Sequence, residues 1–262
     1  LIHNGYCATD DRIVTINAGD KFLSNMRTHT NGVLIDDIGN TKPEFVDQAP
    51  TSLLIQLVNN VRSYANMADV EMKGKVSIEC KVVVSTKNVK DSCATTYSNE
   101  PASIARRDRI TLTVTVKPEY ATHDMLSQDK VMAAFPNGIP DIPDLWNIRV
   151  ERAYPIPNKV SGKPATIGWE LITHNGKEFS CIGIRELIRW IGDDSRKFFA
   201  AQKALVDKNN NMASKLSICK ICSHPKPSVC ICVDDDEEPE PEKILDNQVG
   251  SYIVSALWPR FY

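Results

Sequence analysis

Long apolar runs are missing from this 262-residue sequence: none approaches the roughly 20 residues needed to span a bilayer, and no secretory signal pattern is visible. A membrane-crossing helix is therefore not expected within it. A dominant charge sign is missing too. With 31 Lys and Arg against 33 Asp and Glu, the net charge of −2 excludes a wholesale basic coat for nucleic acid but leaves room for local basic patches. Histidine is scarce, at five residues, and His3, His29, His123 and His174 are scattered. No internal repeat is present, which sets aside solenoid architectures. Leu1 opens the sequence, and the last residues through Tyr262 form no natural stop, so the expectation is a piece of something longer.

What is there is an ordinary globular composition. At 42% hydrophobic and 24% charged residues, it can bury a sizeable core in one large domain or two small ones. Arg12–Ile16, Val33–Ile35, Val82–Val84 and Ile110–Val116 are predicted strands. The second and third are fully apolar and expected to be buried, whereas the fourth alternates apolar residues with Thr and is expected to be half exposed. A helix is predicted from Thr51, with Leu53, Leu54, Leu57, Val58 and Val61 on one face and Thr51 or Ser52 as N-cap. Val70–Glu79, with Gly74 between Lys73 and Lys75, suits a β-hairpin or a tight loop with a basic tip. A short helix is expected near Gln128–Phe135, and the longest one from Gly183 to Val206, with Arg185, Arg189, Arg196 and Lys197 opposite its apolar face. That basic face suits solvent, a membrane surface or a neighbouring subunit. Trp146, Trp169, Trp190 and Trp258 are expected in the core, and Cys7, Cys80, Cys93 and Cys181 as core or surface thiols.

Two strands end in polar side chains that matter chemically. Gly32-Val-Leu-Ile-Asp-Asp37 delivers two adjacent carboxylates, and Val82-Val-Val-Ser-Thr-Lys-Asn88 delivers an amide. In open α/β sheets ligands bind at the carboxyl ends of strands. There one carboxylate can hold Mg²⁺ through its water shell, the other can polarise an attacking water, and the amide can orient that water against a γ-phosphate. Each element alone also reads as a turn former: Asp-Asp caps turns, and Asn closes strands. Arg106-Arg107 follows, either as a solvated basic turn or as the arginine that a ring ATPase places in its neighbour's site.

The ordered set resembles the superfamily 3 RNA helicases of picorna-like viruses, in particular the nonstructural polyproteins of dicistroviruses and related insect or crustacean viruses. The resemblance covers about residues 1–150. It implies that Asp36 and Asp37 are motif B (Walker B), that Asn88 is the motif C sensor of the γ-phosphate, and that Arg106 or Arg107 is the arginine finger. Lys73 and Lys75 fall where this family places its RNA-gripping central-channel loop. The implied cofactors are ATP and Mg²⁺; the implied partners are RNA, further copies in a hexamer and other viral replication proteins, with possible membrane association. The implied location is host cytoplasm at replication membranes. The implied fold is α/β: a partial P-loop, AAA+-like parallel sheet with flanking helices. One departure is large. The phosphate-cradling Gly-x₄-Gly-Lys-Ser/Thr loop is absent, since Gly74-Lys75 is followed by Val and Gly162-Lys163 by Pro. The expectation is that the chain starts after that loop and, alone, hydrolyses essentially no ATP.

A second signal is Cys219-x₂-Cys222-x₇-Cys230-x-Cys232, a compact set of four thiols suited to a closed tetrahedral Zn²⁺ site, with His224 as an alternate ligand. Four cysteines crowded together suggest metal ligation in a reducing compartment rather than a disulfide framework. The expected organisation is therefore a helicase/ATPase part over 1–150, a mixed then helical extension over 151–215, a zinc module over 216–233, an acidic linker over 234–246 and a downstream segment over 247–262. The competing reading is a non-enzymatic zinc-containing scaffold that binds RNA or membranes. A self-contained metal hydrolase is weaker, because no histidines accompany Asp36 and Asp37.

Overall fold

The computed structural model describes residues 1–46, 48–59, 61–160, 162–215, 217–218, 225–226 and 252–257, with side chains described through residue 208. Its organising element is a seven-stranded mixed sheet built from β1 (Ile13–Asn17), β2 (Gly32–Asp36), β3 (Val82–Lys87), β4 (Ile110–Val116), β5 (Trp146–Ile156), β6 (Thr166–Leu171) and β7 (Tyr252–Leu257). The order across the sheet is β1-β2-β3-β7-β4-β5-β6. The first five of these are mutually parallel; β5 is antiparallel to β4 and β6 antiparallel to β5. Mixed α/β architecture with a parallel run is therefore what the apolar strand pattern builds.

β1, β2 and β3 stand in register, Val14 against Val33 and Val33 against Val83. Their apolar side chains enter a core of Ile16, Val33, Ile35, Ile38, Leu54, Leu57 and Val83. Helix α1 (Pro50–Leu57) packs Leu54 and Leu57 into it. The helix is shorter than expected, and neither Thr51 nor Ser52 caps it. Ala49 holds the cap position with Pro50 at the first helical turn, where proline's fixed φ and missing N–H cost nothing. Thr51 is buried, and Val61 lies beyond the helix end and is exposed. Short helices α2 (Ala94–Tyr97) and α3 (Pro101–Ala105) carry the chain from β3 back toward β4.

β4 departs from the half-exposed expectation. Thr111 is fully buried and Thr113 half-buried, leaving only Thr115 on the surface. Flanked by β7 and β5, the strand is internal, and Thr113 donates to the buried Glu151 at 2.8 Å. β2 and β3 are also less uniformly buried than fully apolar runs imply, since Leu34, Val82 and Val84 stay half-buried.

After α4 (Gln128–Ala134), β5 and β6 extend the same sheet, so the boundary expected at 150 falls inside β5. Helix α5 (Ile184–Lys215) begins one residue after the expected Gly183 and runs nine residues past the expected Val206, 32 residues in all. It closes a second core with Ile110, Val150, Phe179, Leu187, Trp190 and Phe199. The N-terminal residues lie along it: Asn4 donates to Ser195 Oγ at 2.8 Å, Tyr6 meets Phe199 edge-on at 5.5 Å, and Gly192 leaves room for the His3 ring. Among the described tryptophans, only Trp190 is core. Trp146 and Trp169 are half-buried, and Trp258 lies outside the described residues. Tyr252–Leu257, expected to begin a downstream segment, runs between β3 and β4. No helix among the described residues is long and apolar enough to cross a membrane.

Candidate functional site

The carboxyl ends of β2 and β3 lie side by side because the strands pair in parallel, Ile35 opposite Ser85. That register brings Asp36 beside Thr86, whose hydroxyl donates to Asp36 Oδ1 at 2.6 Å and accepts the Asp37 backbone N–H at 2.8 Å. Asn88 Nδ2 then donates to Asp37 Oδ1 at 2.6 Å, and Asn40 Nδ2 to Asp37 Oδ2 at 2.5 Å. Asp36, Asp37 and Asn88 are all exposed, so both carboxylates keep lone pairs facing water. The two acids and the amide thus converge on one rim of the sheet: Asn88 bonds Asp37 directly, and Thr86 links Asp36 to the Asp37 backbone.

The backbone there is bent to suit. Asp37 has φ of +49°, a left-handed conformation that Asp tolerates better than most residues. Gly39, at φ +81°, lets the loop after β2 press against the loop after β3: an added Cβ would lie 3.1 Å from the Ser92 carbonyl. Ser92 and Cys93 also have positive φ, and Asp91 holds this turn by accepting from Cys93 N–H and from the Thr95 hydroxyl and N–H. Strained backbone on both loops of one rim is the pattern expected of a ligand-facing edge.

Beneath the rim runs a buried ion pair. Lys87, wholly buried, reaches Asp108 Oδ2 at 2.5 Å and donates to Ser92 Oγ at 3.2 Å. Trp169 covers it, 6.0 Å from Lys87 Nζ and 4.7 Å from Lys90 Nζ. Lys90 in turn pairs with buried Glu151 at 2.6 Å. Burial pushes the Glu151 carboxyl upward, but hydrogen bonds from Lys90 and Thr113 and the charges of Lys90 and Arg149 outweigh it and hold the group below its usual range. Lys87 adjoins Asn88, and Asp108 adjoins Arg107, so this pair ties the two stretches of sequence together.

Arg106 and Arg107 themselves are not brought to the acidic pair. They leave the end of α3 just ahead of β4, whereas Asp37 and Asn88 follow the ends of β2 and β3. Arg106 is exposed; Arg107 is half-buried, with Nη1 donating to the Ser103 carbonyl at 2.5 Å. Both line an open cleft of about 690 Å³ together with Arg109, Arg152, Phe198 and Gln202.

Lys73 and Lys75 are exposed on either side of Gly74, which sits at φ +70°. Within Val70–Glu79 the chain forms a turn rather than paired strands: a single helical turn, Val70–Met72, precedes Gly74, and one isolated bridge, Tyr64 against Ser77, closes the larger loop that contains it. It leads into the start of β3, the end opposite Asn88. Cys219, Cys222, Cys230, Cys232 and the alternate His224 lie outside the described residues, as do 234–246. Among the described residues no group of three or more His, Cys, Asp or Glu side chains gathers as for a metal ion.

Thr86, Asn40, the Lys87–Asp108 pair, Arg109 and Arg152 were not singled out from sequence. Thr86 was recoverable, since period-two alternation puts it on the same face as Asn88. A lysine in an otherwise apolar strand was a second available signal. Nothing in the sequence connects Arg152 with Arg106.

Residues 3–89, about a third of the chain, match the protein-family model described as RNA helicase. The match spans Asp36, Asp37, Lys73, Lys75 and Asn88 but stops before Arg106 and Arg107. It supports a helicase- or NTPase-type function for this part. No curated protein and no solved structure matches the chain.

Proposed function

We propose that the chain is the C-terminal part of a viral superfamily 3 RNA helicase, an ATPase acting on RNA during genome replication as a hexameric ring. The observation that carries this is the 2.6 Å hydrogen bond between Asn88 and Asp37 at the rim where β2 and β3 end. Asp36 would hold Mg²⁺, Asp37 would polarise the attacking water, and Asn88 would orient that water toward the γ-phosphate. Bound Mg²⁺ supplies neutralisation of the phosphate charge during transfer. The donor set fits: two exposed carboxylates with an amide directing one of them. Arg106 or Arg107 serves the adjacent subunit's site, and Lys73 and Lys75 grip RNA phosphates without reading bases. The phosphate-cradling loop is supplied by polypeptide outside residues 1–262. Cys219, Cys222, Cys230 and Cys232, or His224 in place of the last, hold a structural Zn²⁺ that supports folding and partner contacts rather than chemistry. Work at host cytoplasmic replication membranes, alongside other viral replication proteins, follows from the same family likeness.

The test compares this chain with a longer polypeptide carrying the upstream loop. Residues 1–262 alone should show no Mg²⁺-dependent ATP turnover, and the longer ring should. In that ring Arg107→Ala should leave nucleotide binding nearly intact while turnover collapses, by about 10³-fold or more. Charge reversal at Lys73 and Lys75 should abolish stimulation by RNA. Turnover by 1–262 alone refutes the assignment, and an unchanged rate in both Arg106→Ala and Arg107→Ala refutes the arginine-finger role. Native mass spectrometry checks the Zn²⁺ separately.

A further inference from the structure

The cleft at the foot of β4 gathers four arginines from three separate elements. Arg106 and Arg107 come from the end of α3, Arg109 from the approach to β4, and Arg152 from β5. Its volume, about 690 Å³, is within the range of small-ligand sites. Only Arg109 has a carboxylate partner there, Asp194 of α5, at 3.0 Å, and its guanidinium also lies over Phe198, 4.8 Å from the ring centre. Asp108, the acid in the wall, is held by Lys87. Glu170 stands opposite Arg152 on β6, yet among the described residues no carboxylate comes within 4.0 Å of Arg106, Arg107 or Arg152. Three cations therefore face one concave surface with no carboxylate closing on them. Arg107 also shows the strain: burial and then the charge of Arg106 both push its guanidinium below its usual value. An anion in the cleft offsets the repulsion between the two guanidiniums.

We infer that this cleft binds phosphate oxyanions, with Arg152 as a ligand alongside Arg106 and Arg107, and Arg109 as the fixed wall. Guanidinium forks suit this chemistry because each can offer two parallel N–H donors to one phosphate. Gln202 adds an amide at the rim, and Phe198 and Val58 give an apolar side against which a base or ribose can lie. The inference goes beyond the arginine-finger assignment. It gives the cleft an affinity of its own within a single chain and adds a residue, Arg152, from a part of the fold that the family match does not reach. It needs neither the upstream loop nor ATP turnover.

The test is isothermal titration of the 262-residue chain with sodium tripolyphosphate, with ATP and with a short oligouridylate as competitors. Tripolyphosphate should bind at one site, and Arg152→Ala should weaken it by about tenfold or more, the loss expected for a charge-assisted pair. Arg152→Lys should recover part of the affinity, because charge returns without the fork. Arg152 is exposed, so the variant should fold, which an unchanged circular dichroism melt verifies. Displacement by ATP identifies a nucleotide as the phosphate source, and displacement by oligouridylate identifies an RNA backbone; either supports the cleft. An equal loss in Arg185→Ala, on the exposed face of α5, would mean net charge alone and overturns the inference. So does retention of full affinity in Arg152→Ala with loss in Asn88→Ala, a result that moves the anion to the β2–β3 rim and leaves the proposed ATPase role standing. Absence of tripolyphosphate binding also overturns it.

Discussion

Replacing Lys87 is expected to destabilise the chain more than any exposed charge change. Its ammonium is wholly buried, 2.5 Å from an Asp108 that is 3% exposed, and Trp169 shuts out water above it. Removing one partner of such a pair leaves a carboxylate desolvated without its cation, which costs about 3–5 kcal/mol. For a chain of this size that corresponds to a melting shift of about 6–20 °C. Removing both charges is a different perturbation. A Lys87→Met, Asp108→Val double variant stays closer to the original combined volume and drops the desolvation penalty, so it should be less destabilised than the sum of the two singles by at least about 1 kcal/mol. Urea unfolding of wild type, both singles and the double, followed by tryptophan fluorescence and circular dichroism, closes the cycle. A Lys87→Met loss below about 1 kcal/mol, or singles that simply add, would refute the buried pair as the link between β3 and the loop ahead of β4.

The other expectations are smaller. Because the Glu151 carboxyl is held below its ordinary 4.5, its contribution is fully present above that value and fades as pH falls through the lower folded-state value; unfolding free energy should drop below about pH 4.5, and less so in Glu151→Gln. Gly39→Ala should cost about 1–3 kcal/mol in the same unfolding assay, since it forces a Cβ to φ +81° and to within 3.1 Å of Ser92 backbone. Peptide mapping after brief iodoacetamide treatment should find Cys7 modified well ahead of Cys93 and Cys80. Hydrogen bonding to Thr9 favours the exposed Cys7 thiolate, burial disfavours that of Cys93, and Cys80 is buried outright.

Local pattern alone placed the pieces whose logic is local. β2 and β3 are short apolar runs punctuated by polar residues, and any sheet that buries them must expose Asp36, Asp37 and Asn88 at the carboxyl end, so both strands and the rim residues were legible. The N-cap of α1 was misjudged because Pro50 begins the helix a residue earlier and tertiary burial claims Thr51. The exposure of β4 was misjudged because alternation with threonine looks the same whether the second face meets solvent or a strap of polar partners such as Glu151.

What sequence by itself determined was therefore which polar side chains stand at the β2–β3 rim, since strand periodicity dictates which side chains share a face. Three features were decided only in three dimensions: the 2.6 Å approach of Asn88 to Asp37, the ion pair that joins Lys87 to Asp108, and the meeting of Arg152 with Arg106 and Arg107. Each depends on which strands become neighbours. Strand order is set by the summed burial of whole faces rather than by any short stretch, so residues 21 or 51 positions apart become partners without leaving a local trace.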